Sequence, residues 1–191
     1  MTKKQIGNAP LILVLVAVLA LGALWLLETV RRDDAPGGAP QDNLPEPALN
    51  AQQLYAARTP YVGDANKVAQ LTDLLHYREN RETISLNTTA PPYELTVHYK
   101  MLPGELFPPG ERPPEPLVLE NAGILFALIG NVDRLVFSFD DGQDPFELIY
   151  TREDMEEWVG TDLRQMADSL DAFQDELLPL LTDLKESVSS P

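Results

Sequence analysis

The residues of this chain that could carry out chemistry are few and widely separated. The 191 residues include two histidines, His76 and His98, and no cysteine. A zinc site needs three or four nitrogen or sulfur ligands, and neither histidine has a second one at ligand spacing. The lack of cysteine also excludes thiol catalysis, disulfides and lipoprotein acylation. The sequence therefore predicts no metal site, and we expect both histidines to have structural roles at the surface.

An acidic segment from Asp140 to Asp144 places oxygen ligands around a glycine, as a calcium site would. It lacks the twelve-residue spacing and the final bidentate glutamate of an EF-hand. A polar hairpin turn is the interpretation that its turn chemistry favours. Binding of a cation at this turn is the alternative.

No known catalytic motif is present in the sequence. It contains no Gly-x-Ser-x-Gly, no phosphate-binding glycine loop and no dinucleotide fingerprint. We therefore predict no catalytic residue and no cofactor. An alternative is a hydrolase that acts on cell-envelope glycan with two carboxylates about 5 to 9 Å apart. A glycan site normally exposes tryptophan. Trp158, the one tryptophan after the apolar run, is expected to pack its side chain from an amphipathic helix.

The charge of the chain is strongly negative. There are 30 acidic and 14 basic residues, and the formal net charge is -16. Much of the excess lies between Asp133 and Glu186. Such a surface repels phosphate backbones, so we exclude nucleic acid as a partner. We expect a solvated face that keeps the domain soluble, with attraction of a basic partner as the alternative.

An uncharged apolar run extends from Pro10 to Leu27. A helix of this length spans about 27 Å, close to the hydrocarbon thickness of a bilayer. We predict a transmembrane helix over residues 10–27, with residues 1–9 in the cytoplasm because Lys3 and Lys4 precede it. The chain after it would lie outside the cell membrane. A cleaved secretory signal is the alternative, although no clear cleavage site is present.

Residues 28–52 are rich in proline, glycine and polar types and predict a flexible linker. Residues 53–186 follow as one predicted extracytoplasmic domain, and residues 187–191 as a disordered tail. Hydrophobic periodicity predicts an α+β fold in the order α-β-β-α-β-β-α-α. The predicted architecture is a single antiparallel sheet of about four strands with helices on one face.

Particular residues begin and end the predicted elements. Asp64 is a predicted N-cap, and residues 119–129 form a nearly all-apolar helix in which Phe126 and Leu128 are predicted to be buried. Thr151 and Asp154 have the spacing of a capping box. Residues 161–186 are predicted to form an acidic amphipathic helix.

Two sets of residues are candidates for a ligand or partner surface. Leucines near the end of the chain lie on more than one face of the last predicted helix. This pattern predicts that the helix docks on another helix or on a second copy of the chain. The alternative is that this helix folds back onto the domain. Tyrosines could line a ligand groove, although such tyrosines more often pack their rings in the core. The candidates are Leu177, Leu178, Leu181, Tyr61, Tyr93 and Tyr99.

Several segments of the chain resemble an uncharacterised bacterial family, domain of unknown function 4825. The resemblance covers about residues 54–163 and rests on motifs that occur together and in order. These are Thr59-Pro-Tyr-Val-Gly-Asp64, Leu86-Asn-Thr88, Pro92-Tyr93-x-Leu95-Thr96-Val97-x-Tyr99, Glu120-Asn-Ala-Gly-Ile-Leu-Phe-Ala-Leu-Ile-Gly-Asn-Val-Asp133 and Tyr150-Thr-Arg-Glu-Asp154.

The resemblance implies an extracytoplasmic module of a Gram-positive bacterium. Members of the family lie behind a single anchor or at the end of membrane zinc peptidases of the antibiotic-sensor type. It implies no catalytic residues, and this chain lacks the His-Glu-x-x-His of those peptidases. We therefore expect a membrane-tethered binding or sensory module that recognises a protein, a peptide or an envelope component.

Overall fold

The computed structural model describes residues 49–100, 115–140 and 145–189. The predicted transmembrane helix, almost all of the predicted linker and residues 141–144 of the acidic turn lie outside the described residues. Within the described part of the chain, no helix combines the length and the apolar character needed to cross a membrane.

The described chain begins with two short helices. Helix α1, Ala51–Ala56, is capped by Asn50, whose side chain accepts a hydrogen bond from the amide of Gln53. This helix was not predicted, because its six residues are too few to show a helical period. Helix α2, Ala65–Thr72, begins at the predicted N-cap Asp64, whose carboxylate accepts from the amide of Lys67.

Four strands form one sheet in the order β1-β2-β3-β4. They are β1, Arg81–Asn87; β2, Glu94–Lys100; β3, Arg134–Asp140; and β4, Phe146–Thr151. Strands β1 and β2 are antiparallel, as are β3 and β4, but β2 and β3 are parallel. The prediction of an all-antiparallel sheet is therefore wrong. Helix α3, Glu115–Leu128, lies in the crossover between β2 and β3 and lets the chain return in the same direction.

The core lies between α3 and one face of the sheet. Phe126 and Leu128 are buried, as predicted, at 0% and 2% exposure. Alternate residues of the two central strands point into the same core, including Val97, Phe137 and Phe139. This alternation places the helices on one face of the sheet, in agreement with the α+β prediction.

The chain after the sheet is helical but interrupted. Helix α4, Arg152–Val159, has the predicted cap at Thr151 and ends at Gly160, which has a φ of 75°. Trp158 of this helix is 54% exposed, so the prediction that it packs is wrong; its ring meets the core on one side, at Tyr150. The expected long helix over residues 161–186 starts later than predicted, at Leu170, because Ser169 caps it by accepting from the amide of Ala172.

This last helix consists of α5, Leu170–Ala172, a π-helical turn, Phe173–Leu177, and α6, Leu178–Ser189. Pro179 has no amide hydrogen for an i→i−4 bond, and the π-helical turn ends two residues before it. The interruption therefore coincides with the proline.

Helix α6 packs on α3. Leu177 and Leu181 are 0% and 1% exposed, and Leu178 is partly buried against the core. A Cβ at Gly123 of α3 would overlap the methyl carbons of Leu181, so a larger residue here requires the Leu181 side chain to shift. Leu177 and Leu181 are thus packed within the domain, in agreement with the alternative that the helix folds back onto it. Association of this helix with a partner or a second copy stays a prediction.

Candidate functional site

The C-terminal end of α3 is enclosed by segments from distant parts of the sequence. Arg152, at the start of α4, is only 8% exposed. Its guanidinium donates to the carbonyl oxygens of Phe126, Ile129 and Val132 at 2.8, 2.9 and 2.9 Å. Burial lowers the pKa of Arg152, and the nearby charge of Arg164 lowers it further, while Glu156 raises it. The cation satisfies the carbonyl of Phe126, which the last turn of α3 leaves unpaired, and two carbonyls just beyond the helix, and it complements the negative end of the helix dipole.

The loop after α1 is bound to the same helix end. The amide of Thr59 donates to the carbonyl of Leu128, and the amide of Gly130 donates back to the carbonyl of Thr59, both at 2.9 Å. The side-chain oxygen of Asn131 accepts from the amide of Val62 at 2.6 Å. A Cβ at Gly130 would lie 3.0 Å from the carbonyl oxygen of Pro60, so the two backbones approach closely. The loop is thereby held in one position.

Asp133 joins the ends of three strands. One of its carboxylate oxygens accepts from the amide of Tyr93 at 2.7 Å, just before β2. Its carbonyl accepts from the amide of Arg152 at 2.9 Å, just after β4. Asp133 itself directly precedes β3. The carboxylate and the carbonyl of Asp133 therefore hold the backbone before β2 and after β4 in place.

A buried polar cluster lies near the other end of α3. The carboxylate of Glu120 is 3.0 Å from Nε2 of His76 and 2.7 Å from Nζ of Lys185. The neighbouring Asn121 makes two hydrogen bonds with the backbone of His76, as acceptor at 3.1 Å and as donor at 3.2 Å. The cluster therefore connects the segment after α2, helix α3 and helix α6.

The electrostatics of this cluster favour a charged Glu120. Burial alone would raise the pKa of this carboxyl. The hydrogen bonds and charges of His76 and Lys185 outweigh that effect, so the pKa of Glu120 is lowered. His76 is 9% exposed, so the prediction that it lies at the surface is wrong. Its burial results from the tertiary partner Glu120, which lies 44 residues away in sequence.

Two open depressions border the enclosed end of α3. The first, of about 590 Å³, lies at the end of the sheet and is lined by Pro92, Asp133, Arg134, Arg152 and Glu153, among others. We call it the sheet-end depression. The second, of about 530 Å³, is lined by Arg58, Thr59, Pro60, Leu128, Gly130 and Arg164, with Ala127. We call it the arginine depression.

Comparison with protein families identifies the chain. The model of the family "Domain of unknown function (DUF4825)" matches residues 54–151, about half of the sequence. The chain belongs to this family. No curated protein and no solved structure was found to match it. The DUF4825 region runs from α1 to the last residue of β4, so Arg152 and all of α4 to α6 follow it.

The motifs of the DUF4825 resemblance meet in space. The loop of Thr59 and the turn of Gly130 pair with each other, and Asp133 contacts the segments of Tyr93 and Arg152. Within the described residues, no group of three or more histidine or acidic side chains has the geometry to hold a metal ion. Only Asp140 of the predicted acidic turn is described, and it is exposed.

The tyrosines predicted for the DUF4825 domain are not brought into one groove. Tyr61 is 65% exposed, Tyr93 is half-buried and Tyr99 is 2% exposed. The ring of Tyr99 stacks on Phe139 with 4.9 Å between centroids. Burial raises the pKa of its hydroxyl, which has no hydrogen-bond partner among the described residues. Tyr99 is thus a core residue, and of the three tyrosines only Tyr61 has most of its surface exposed to solvent.

Several important residues were not singled out from the sequence. Arg152 and Glu120 occur in the sequence only within the motifs of the family resemblance, and Lys185 and Arg58 are two of its 14 basic residues. His98 lies on the polar face of β2, as predicted, where its Nε2 is 3.0 Å from the hydroxyl oxygen of Ser85.

Proposed function

We propose that the protein is a single-pass membrane protein whose DUF4825 domain lies outside the cytoplasmic membrane and acts as a binding or sensory module. The apolar run from Pro10 to Leu27 and the proline- and glycine-rich residues 28–52 support an anchor followed by a tether. The proposal places residues 1–9 in the cytoplasm and assigns no catalytic step to the domain.

The observation that carries the binding role is the fixed backbone around the end of α3. Arg152, Asn131 and Asp133 use their polar side chains to hold backbone groups in place. Both depressions are bordered by segments that these bonds hold. A surface that is already ordered loses little conformational entropy when a ligand binds. The arrangement therefore suits recognition by a preformed surface.

The alternative function, hydrolysis of envelope glycan, can be tested at the sheet-end depression. Asp133, Glu153 and Glu156 all line it. Asp133 accepts from the amide of Tyr93, and Glu156 lies 3.5 Å from Arg152, so both carboxylates already have structural partners. Glu153 is the exposed acid of the three. If the protein is a hydrolase, Glu153→Gln abolishes release of glycan fragments from purified cell walls. If it is a binding module, the wild type releases none.

Site-specific photo-crosslinking tests the binding role in living cells. A photoreactive phenylalanine analogue at Tyr61 reports on the loop at the end of α3, and the same analogue at the exposed Gln174 serves as the control. We expect a reproducible adduct with one envelope component at Tyr61 and not at Gln174. Identical adducts at the two positions, or none at Tyr61, would contradict a binding surface at this loop.

A further inference from the structure

Two cations near the end of α1 have no carboxylate partner among the described residues, in a chain that carries 30 acidic residues. Nη1 of Arg58 donates to the carbonyl of Tyr55 at 3.0 Å, and the guanidinium lies 4.0 Å from the centroid of the Tyr55 ring. Nζ of Lys67 donates to the carbonyl of Ala56 at 3.0 Å. No described carboxylate forms an ion pair with either cation. Most of their N–H donors therefore remain available to a ligand.

Arg58 also lines the arginine depression, together with Arg164. The volume of about 530 Å³ lies within the range of small-molecule sites. Arg164 forms a two-point ion pair with Asp162, with both distances at 2.9 Å, and this pair lowers the pKa of Asp162 to about 2. Arg58 is consequently the cation of this depression whose charge is not already neutralised.

The floor of the arginine depression does not oppose an anion. It lies at the C-terminal end of α3, where unpaired carbonyls would give a negative potential. The carbonyl of Leu128 accepts from the amide of Thr59, and those of Phe126 and Ile129 accept from Arg152. Three carbonyls at this helix end are thus satisfied by groups of the protein itself, two of them by the cation Arg152.

We propose that the arginine depression binds a ligand through a phosphate group that Arg58 contacts directly. A guanidinium presents a planar fork of donors that matches phosphate oxygens, and Arg58 is the guanidinium of this depression without a described carboxylate partner. Lys67 adds positive charge from the start of α2. Tyr61, which follows the lining residue Pro60 in the sequence, is 65% exposed. The proposal rests on the binding role above and gives it a ligand class.

Calorimetric titration of the full chain with inorganic phosphate tests the proposal. The protein is held in nanodiscs of phosphatidylcholine, and the ionic strength is kept constant with chloride. Arg58→Ala removes the proposed contact, and Arg58→Gln retains a hydrogen-bonding side chain without the charge. Arg78→Ala is the matched control, because Arg78 lies in a separate 3₁₀ turn, Arg78–Asn80, and does not line the depression.

We expect saturable binding of phosphate to the wild type that weakens about tenfold or more in both Arg58 variants. The control should stay within about twofold of the wild type. No saturable binding, or equal weakening in the control, would overturn the proposal. If phosphate fails to bind while the crosslinks at Tyr61 persist, the ligand class is wrong and the binding role stands.

The same titration distinguishes two sources of the phosphate group. In nanodiscs that contain phosphatidylglycerol, a lipid headgroup in the depression would compete with inorganic phosphate. An apparent affinity that falls in these discs for the wild type, but not for Arg58→Gln, assigns the site to a lipid headgroup. An unchanged affinity assigns it to a soluble phosphate compound.

Discussion

The guanidinium of Arg152 donates to the carbonyl oxygen of Phe126 at 2.8 Å, across 26 residues of sequence. Phe126 lies in the last turn of α3, and Arg152 is the first residue of α4. This contact connects the central helix to the chain that leaves the sheet. Because both depressions border this helix end, their shapes depend on the bonds of Arg152.

Replacement of Arg152 should therefore destabilise the domain. An ammonium group cannot reach three carbonyl oxygens in separate directions, so Arg152→Lys should lower the free energy of unfolding by about 2 to 3 kcal/mol. Urea denaturation of a soluble fragment spanning residues 47–191 measures this change. Arg164→Lys is the control, because the Arg164 side chain is 47% exposed and should change stability by less than about 1 kcal/mol. Equal effects of the two variants would show that Arg152 has no special role.

The contact between α3 and α6 predicts that a larger side chain at Gly123 destabilises the domain. Gly123→Val should destabilise the domain by about 1 to 3 kcal/mol, because its methyl groups would overlap Leu181. Leu181→Ala creates space at the same place. The loss of unfolding free energy in the double variant should thus be about 1 kcal/mol smaller than the sum of the losses in the two single variants. Strict additivity in thermal unfolding would contradict the packing of α6 on Gly123.

The cluster around Glu120 predicts a defined dependence on pH. The pKa of Glu120 is lowered in the folded protein, so its stabilising effect is complete above the unfolded value near 4.5 and is lost as the pH falls through the folded value. Glu120→Gln should cost about 2 to 3 kcal/mol at pH 6. The difference from the wild type should shrink below pH 4.5. The exposed Glu176→Gln is the control and should have little effect at either pH. A difference that persists unchanged at pH 3 would exclude the charge of Glu120 as its cause.

The helices and strands could be predicted where the sequence shows local periodicity or capping. Asp64 and Thr151 begin helices because their side chains accept hydrogen bonds from amides three residues later. The alternation of apolar and polar residues in β2 and β3 indicates two strands. It does not reveal that they are parallel, because the direction of β3 depends on where α3 places the returning chain.

The functional features depend on contacts between distant residues, which local patterns do not report. His76 lies just beyond a helix and resembles a surface histidine until Glu120 is placed beside it. Leu181 resembles an unpartnered apolar residue until Gly123 provides the space for it. Arg58 is one of 14 basic residues in the sequence, and only the fold shows that it lines a depression and has no carboxylate partner in the described part of the chain.

The central claim, a domain tethered outside the cytoplasmic membrane, is tested most directly by labelling a single cysteine in the tether. The natural chain contains no cysteine, so Gly38→Cys in the full-length protein creates a unique target. We expect a membrane-impermeant maleimide to label it on intact cells after removal of the wall, with the labelled protein retained at full length in the membrane. Labelling only after lysis would contradict the location, and release of a shortened protein would contradict the anchor.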